Sequence, residues 1–171
     1  MSAPKLVFSS RPTFSSTIPN FLSGPEADVL EQKLSQKISE RARLIFEQSG
    51  SMPGNDEANW LRAESEILLP GFEVLESATW VTLKAPIPHT SGEDMHIVVR
   101  PKRVIVRAKE IERNSAAAAE RNEAEIFLAA NLSVEVHPPS AAASFRDRTL
   151  RIMVKKRQPD NLTVSPESAS K

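Results

Sequence analysis

DMHIVVRPKRVIVRA, residues 94–108, is the most regularly patterned stretch of the chain. Alternation places Met95, Ile97 and Val99 on one face. After the Arg100-Pro101-Lys102 break, Val104 and Val106 repeat the pattern between Arg103, Ile105 and Arg107. Period-2 alternation on both sides of a proline break predicts two strands joined by a short turn. Similar runs precede it at FEVLESATWVTLKAP and follow it at EIFLAANLSVEV and TLRIMVKK. Several strands within about a hundred residues predict one antiparallel sheet or sandwich.

Composition narrows the function classes. A chain of 171 residues has room for one domain of ordinary size plus extensions. Its 22 basic and 22 acidic residues cancel, which argues against attraction to nucleic acid or an anionic membrane by bulk charge. The absence of cysteine removes disulfides, thiol catalysis and thiolate metal sites. No segment approaches the roughly 20 apolar residues of a membrane span, and the start shows no signal-peptide run, so a soluble cytoplasmic protein is expected. Thirteen prolines, many at the ends of strand-like runs (Pro70, Pro86, Pro101, Pro138), fit a β-domain whose ladders they leave intact.

Taken in order, residues 1–25 mix Ser, Pro and Thr with apolar side chains including Phe8, Phe14, Phe21 and Leu22. Too polar to close a core, this segment is expected to be a flexible arm, either a plain tail or a sticky contact surface. From residue 26 the period becomes helical. Val29, Leu30, Leu34, Ile38, Ala42, Ile45 and Phe46 recur at three- and four-residue spacing up to Gly50, a natural left-handed cap. Asn55 or Asp56 can cap a second helix containing Trp60, Leu61 and Ala63. Residues 26–69 therefore predict a helical hairpin in which Trp60 and Leu61 pack against Ile45 and Phe46. Residues 70–157 carry the strands. Between them, residues 110–125 are polar with an Ala run and predict a loop. Residues 158–171 predict a flexible tail.

Two resemblances follow from particular residues. The series Ile38, Arg41, Ala42, Ile45, Phe46, Glu47 and Gly50, then Asn59, Trp60, Leu61, Ala63 and Glu64, resembles a short bacterial domain of unknown function. The strand region resembles the α-crystallin domain of small heat-shock proteins. Ala85-Pro86 followed by Asp94-Met95-His96-Ile97, the strand Val104-x-Val106-x-Ala108, and Leu132-x-x-x-Val136 before Ala143-x-Phe145-x-Asp147-Arg148-Thr149-Leu150 stand in that family's order. Arg148 occupies the family's turn glycine, Ser133 a proline and Ile87 a glycine. The resemblance implies an immunoglobulin-like antiparallel β-sandwich of the α-crystallin or co-chaperone type, here with an N-terminal helical hairpin. It also implies a groove at Ile97, Val99, Ala143 and Phe145 that receives a docking tail, for which Leu162 and Val164 are the candidates. The chain is thus expected to be an ATP-independent holdase. Its partners would be unfolding client proteins, contacted through Phe8, Phe14, Phe21 and Leu22, and further copies of itself. The alternative is a non-enzymatic interaction adaptor on the same sandwich.

Catalysis finds no support in the residues. His89, His96 and His137 lack metal-ligand spacing and acidic company. No serine has a nucleophile-elbow context. Arg146, Arg148, Arg151, Lys155, Lys156 and Arg157 form a basic run without interleaved aromatics, as expected of a charged sheet edge rather than a nucleic-acid site. No cofactor, metal or catalytic residue is expected.

Overall fold

The computed structural model describes residues 17–69, 71–88, 90–110 and 124–158. Its elements run β1 (Asn20–Leu22), α1 (Gly24–Gln48), α2 (Asp56–Ile67), β2 (Glu73–Glu76), β3 (Trp80–Pro86), β4 (His96–Arg100), β5 (Arg103–Lys109), β6 (Glu125–Asn131), β7 (Ala142–Arg146) and β8 (Thr149–Lys155). The strands form two four-stranded sheets, ordered β1-β4-β5-β6 and β2-β3-β8-β7. Every pairing is antiparallel except β1 with β4. The chain is therefore the expected mainly β sandwich with an N-terminal helical hairpin.

Alternation along the strands builds the inner layer. Val81, Leu83 and Ala85 of β3, Ile97 of β4, Val104 and Val106 of β5, Leu128 of β6, and Leu150, Ile152 and Val154 of β8 are buried in one cluster between the sheets. The β4–β5 pair turns at Pro101-Lys102, with Arg100 opposite Arg103, in the register that keeps both apolar sets inward.

The opposite face of β4, β5 and β6 is apolar too. Val98, Ile105 and Phe127 point away from the sandwich and are covered by Ala27, Leu30, Leu34, Ile38, Ile45 and Ala63 of the hairpin. The molecule thus has three layers, and β5 is buried on both faces. Polar ties surround this second apolar layer. Lys33, Lys37 and Arg107 converge on Glu125, Arg100 binds Asp28 and Glu31, and Arg103 reaches Glu64 at 3.5 Å. The joint after α2 extends along β6, where Leu68 makes a parallel bridge to Phe127.

Two expectations change. Within the segment read as an arm over residues 1–25, the described part holds β1, and α1 starts at Gly24. A three-residue strand is too short to show a period. In the hairpin, Ile45 is buried, but Phe46 is only half-buried and Trp60 and Leu61 are 37% and 57% exposed. The apolar stripe is turned toward the sheet, and Phe46 and Trp60 border an open cleft between the helices without filling it. The loop expected over residues 110–125 falls largely outside the described residues.

Candidate functional site

β7 is an edge of one sheet, and in the other sheet only the three-residue β1 separates β4 from the edge; Ile97, Val99, Ala143 and Phe145 lie on these two strands and belong to or pack on the same core. Ile97 and Phe145 are buried, at 0% and 8% exposure, while Val99 and Ala143 are half-buried against the same core. The slot between the two strands is filled by the chain itself. Asn20, Phe21 and Leu22 pair with His96, Ile97 and Val98 as a parallel strand. The Asn20 amide donates to the Met95 carbonyl at 3.0 Å. Three residues earlier the chain crosses to the other sheet, where the Phe145 amide donates to the Thr17 carbonyl at 3.2 Å. Pro19, between these anchor points, is buried.

Gly92 makes this seat possible. It is buried in a short 3-10 turn before β4, and a Cβ at that position would lie 2.6 Å from the Thr17 Cβ. Only glycine lets the segment come so close. Backbone bonds to two strands hold an extended chain regardless of its sequence, while side-chain positions between the sheets select it. Thr17, Pro19 and Gly92 were not legible as site residues, because the segment has no alternation and its pairing partners lie over 70 positions away.

The other expected contact residues are divided. Phe21 is 39% exposed on β1, and Leu22 is half-buried against the helix-covered layer. Phe8, Phe14, Leu162 and Val164 lie outside the described residues. His96 stands on β4 opposite Asn20 and Arg107, with its Nδ1 buried and without a partner among the described residues. Burial, then the Arg107 charge, push its imidazole below the ordinary value of 6.5. His137 is exposed at a turn, and His89 lies outside the described residues. Among the described residues, no group of three His, Cys, Asp or Glu is placed to hold a metal. No described helix is long and apolar enough to cross a membrane.

The basic run does not form one patch. Lys156 pairs with Glu76 at 3.0 Å and Arg157 with Glu135 at 3.8 Å, while the Lys155 ammonium sits 5.3 Å from the centre of the Trp80 ring. Charges at the β8 end are thus largely engaged within the molecule.

A family model described as a protein of unknown function, DUF2934, matches residues 34–68, which span most of α1 and all of α2. No curated protein matches the chain. Among solved structures, heat shock protein 16.0 from Schizosaccharomyces pombe is 13% identical, over 56% of this chain and 82% of its own, with a TM-score of 0.46. A small heat-shock protein from Xylella fastidiosa is 16% identical, over 54% of this chain and 90% of its own, with a TM-score of 0.45. The rat alpha crystallin domain is 17% identical, over 53% of this chain and 94% of its own, with a TM-score of 0.38.

Proposed function

We propose that the protein is a small heat-shock-like, ATP-independent holdase that captures extended segments of unfolding proteins in the slot between β4 and β7. The observation that carries this reading is the seating of Thr17–Leu22, an extended stretch of the chain's own backbone bonded to both strands. A slot that accepts one extended chain by main-chain bonding can accept another once the first is displaced. The order of sequence signatures along the strands supports the same function. Clients and further copies of the chain are the proposed partners, in a cytoplasmic setting.

The test is suppression of heat-induced aggregation of a thermolabile protein, comparing the full chain with Gly92→Ala. The added methyl collides with Thr17 and disfavours the self-docked segment, so the variant is expected to protect better at equal concentration. If neither protein suppresses aggregation at equal or excess concentration, the holdase function is lost as an explanation.

An interaction adaptor is the second reading, and one observation favours it. The hairpin covers an entire sheet face and the joint at Leu68 meets the β6 edge, leaving less surface for building large assemblies. Light scattering separates the two: a monomer that binds one defined partner and protects no client supports the adaptor.

A further inference from the structure

The slot between β4 and β7 is closed by a lightly held strand that shares its pairing with a titratable residue. Among the described residues β1 pairs only with β4 and ends its sheet. Pro19 is buried and Leu22 half-buried, but Ile18, Asn20 and Phe21 are exposed, so few side chains reinforce the backbone bonds. The partner of Asn20 is His96. Alternation along β4 puts His96 on the face of Val98, toward the hairpin. Arg107 stands opposite it on β5 with Lys109 beyond, Asp94 precedes β4, and Glu26 lies in the first turn of α1. Arg107 also binds Glu125 of β6 at 2.7 Å. β1 brings no ionisable group; the side chain of its Asn20 donates to the Glu93 carbonyl at 3.4 Å.

The imidazole is placed to resist a proton. Its Nδ1 is buried and has no partner among the described residues. A neutral imidazole can leave that nitrogen bare, whereas an imidazolium carries a hydrogen on both nitrogens. Protonation therefore creates a buried, charged donor with nothing to receive it. Burial, Arg107 and Lys109 together outweigh the favourable charges of Asp94 and Glu26. Relief comes from water at Nδ1, which requires a neighbouring element to move. β5 is paired on both sides and lies under α1, whereas β1 can leave without unpairing any other strand.

We propose that His96 is an acid-sensitive latch: proton uptake by its imidazole releases Thr17–Leu22 from β4 and β7 and opens the slot, and loss of the proton closes it. The closed form holds the proton less well than the open form, so acid favours opening, and the effect sets in as pH falls through the ordinary imidazole value of 6.5. The use of this opening in client capture rests on the holdase reading of the slot; the release itself does not.

The experiment is amide hydrogen exchange of the ¹⁵N-labelled full chain by nuclear magnetic resonance, expressed as protection factors between pH 7.5 and 5.5, a window bracketing the unperturbed imidazole. Two amides report the latch: Asn20, which donates to the Met95 carbonyl at 3.0 Å, and Phe145, which donates to the Thr17 carbonyl at 3.2 Å. Ile152, paired on both sides at the centre of β8, reports opening of the whole sandwich. Asn20 and Phe145 are expected to be less protected than Ile152 throughout and to lose protection several-fold in acid, about tenfold being the ceiling for one imidazole of ordinary value across this window. In His96→Gln, which cannot take up the proton, their protection is expected to stay constant. Protection at Asn20 and Phe145 that is constant in the unaltered protein, that equals Ile152 at every pH, or that falls as much in His96→Gln would overturn the latch. The unaltered protein gives a check that needs no variant: a His96 imidazole titrating at 6.5 or above also overturns it. No client is present, so a chain that protects no protein would leave these results standing, and a β1 indifferent to pH would leave the holdase reading standing.

Discussion

The amide of Leu69 donates to the carbonyl of Phe127 at 2.9 Å, so the chain leaving α2 occupies the outer edge of β6 at its middle. The side chain of the same phenylalanine is 1% exposed beneath α1, with the Lys37 ammonium 5.7 Å from its ring centre. One residue of an edge strand is therefore held by the hairpin through both backbone and side chain. Phe127→Ala should destabilise the protein by about 3–5 kcal/mol, the usual cost of emptying a buried aromatic site. Leu61→Ala, on the exposed side of α2, should stay within about 0.5 kcal/mol of the unaltered protein. Urea denaturation measures both, and similar losses would mean that the hairpin contributes little through this contact.

The turn between β7 and β8 carries a removable strain. Asp147 and Arg148 adopt φ of 51° and 60°, with Arg146 paired to Thr149 on either side. Both central residues are left-handed, a geometry that suits hairpin twist and favours glycine. Arg148→Gly should therefore stabilise the fold by about 1 kcal/mol, the cost of left-handed backbone for a residue with a Cβ. Thermal melting should show the midpoint rising; a fall would place Arg148 in a contact that outweighs its backbone cost.

Glu125 gathers three cations: Lys33 at 2.6 Å, Arg107 at 2.7 Å and Lys37 at 3.6 Å. Burial pushes its carboxyl up, but the Lys33 hydrogen bond and the charges of Arg107, Lys33 and Lys37 outweigh this and hold it below the ordinary 4.5. A depressed acid stabilises the fold above its unfolded value and loses that contribution as pH falls through the folded one. Glu125→Gln should cost about 1–3 kcal/mol at neutral pH, because it leaves Arg107 half-buried without its anion. The difference from the unaltered protein should shrink in acid, and denaturation at pH 7 and pH 4 provides the check.

His96 gives the pH dependence a second component. Asp94 and Glu26 favour its protonation, but burial, Arg107 and Lys109 prevail and lower its affinity for a proton. Below the ordinary 6.5 the unfolded chain takes up a proton that the folded chain resists, so stability is full above that value and falls as acid is added. His96→Gln should flatten the decline between pH 7.5 and 5.5, a window bracketing the unperturbed imidazole. Parallel melting curves for the two proteins would assign the decline elsewhere.

The strands were legible because their alternation is a short-range signal: Ile97, Val99, Val104 and Val106 share the inner layer as the spacing requires. Val98 and Ile105 could be read only as interruptions of the polar face. Their meaning depends on a helix that lies far away in sequence, and α1 shows an apolar stripe without showing what it covers. Ile97 and Phe145, picked out along the strands, are the positions beside which Phe21 and Thr17 pair. The occupant of the slot was not legible. Thr17–Leu22 is held mainly by backbone bonds, which leave little trace in side-chain pattern.

The three-layer arrangement also says something about the hairpin itself. Val98, Ile105 and Phe127 form the kind of sticky sheet surface that unfolding proteins expose, and α1 covers it. In that sense the chain carries a client of its own, bound before any stress arrives. Releasing the hairpin would turn a stable protein into one in need of protection.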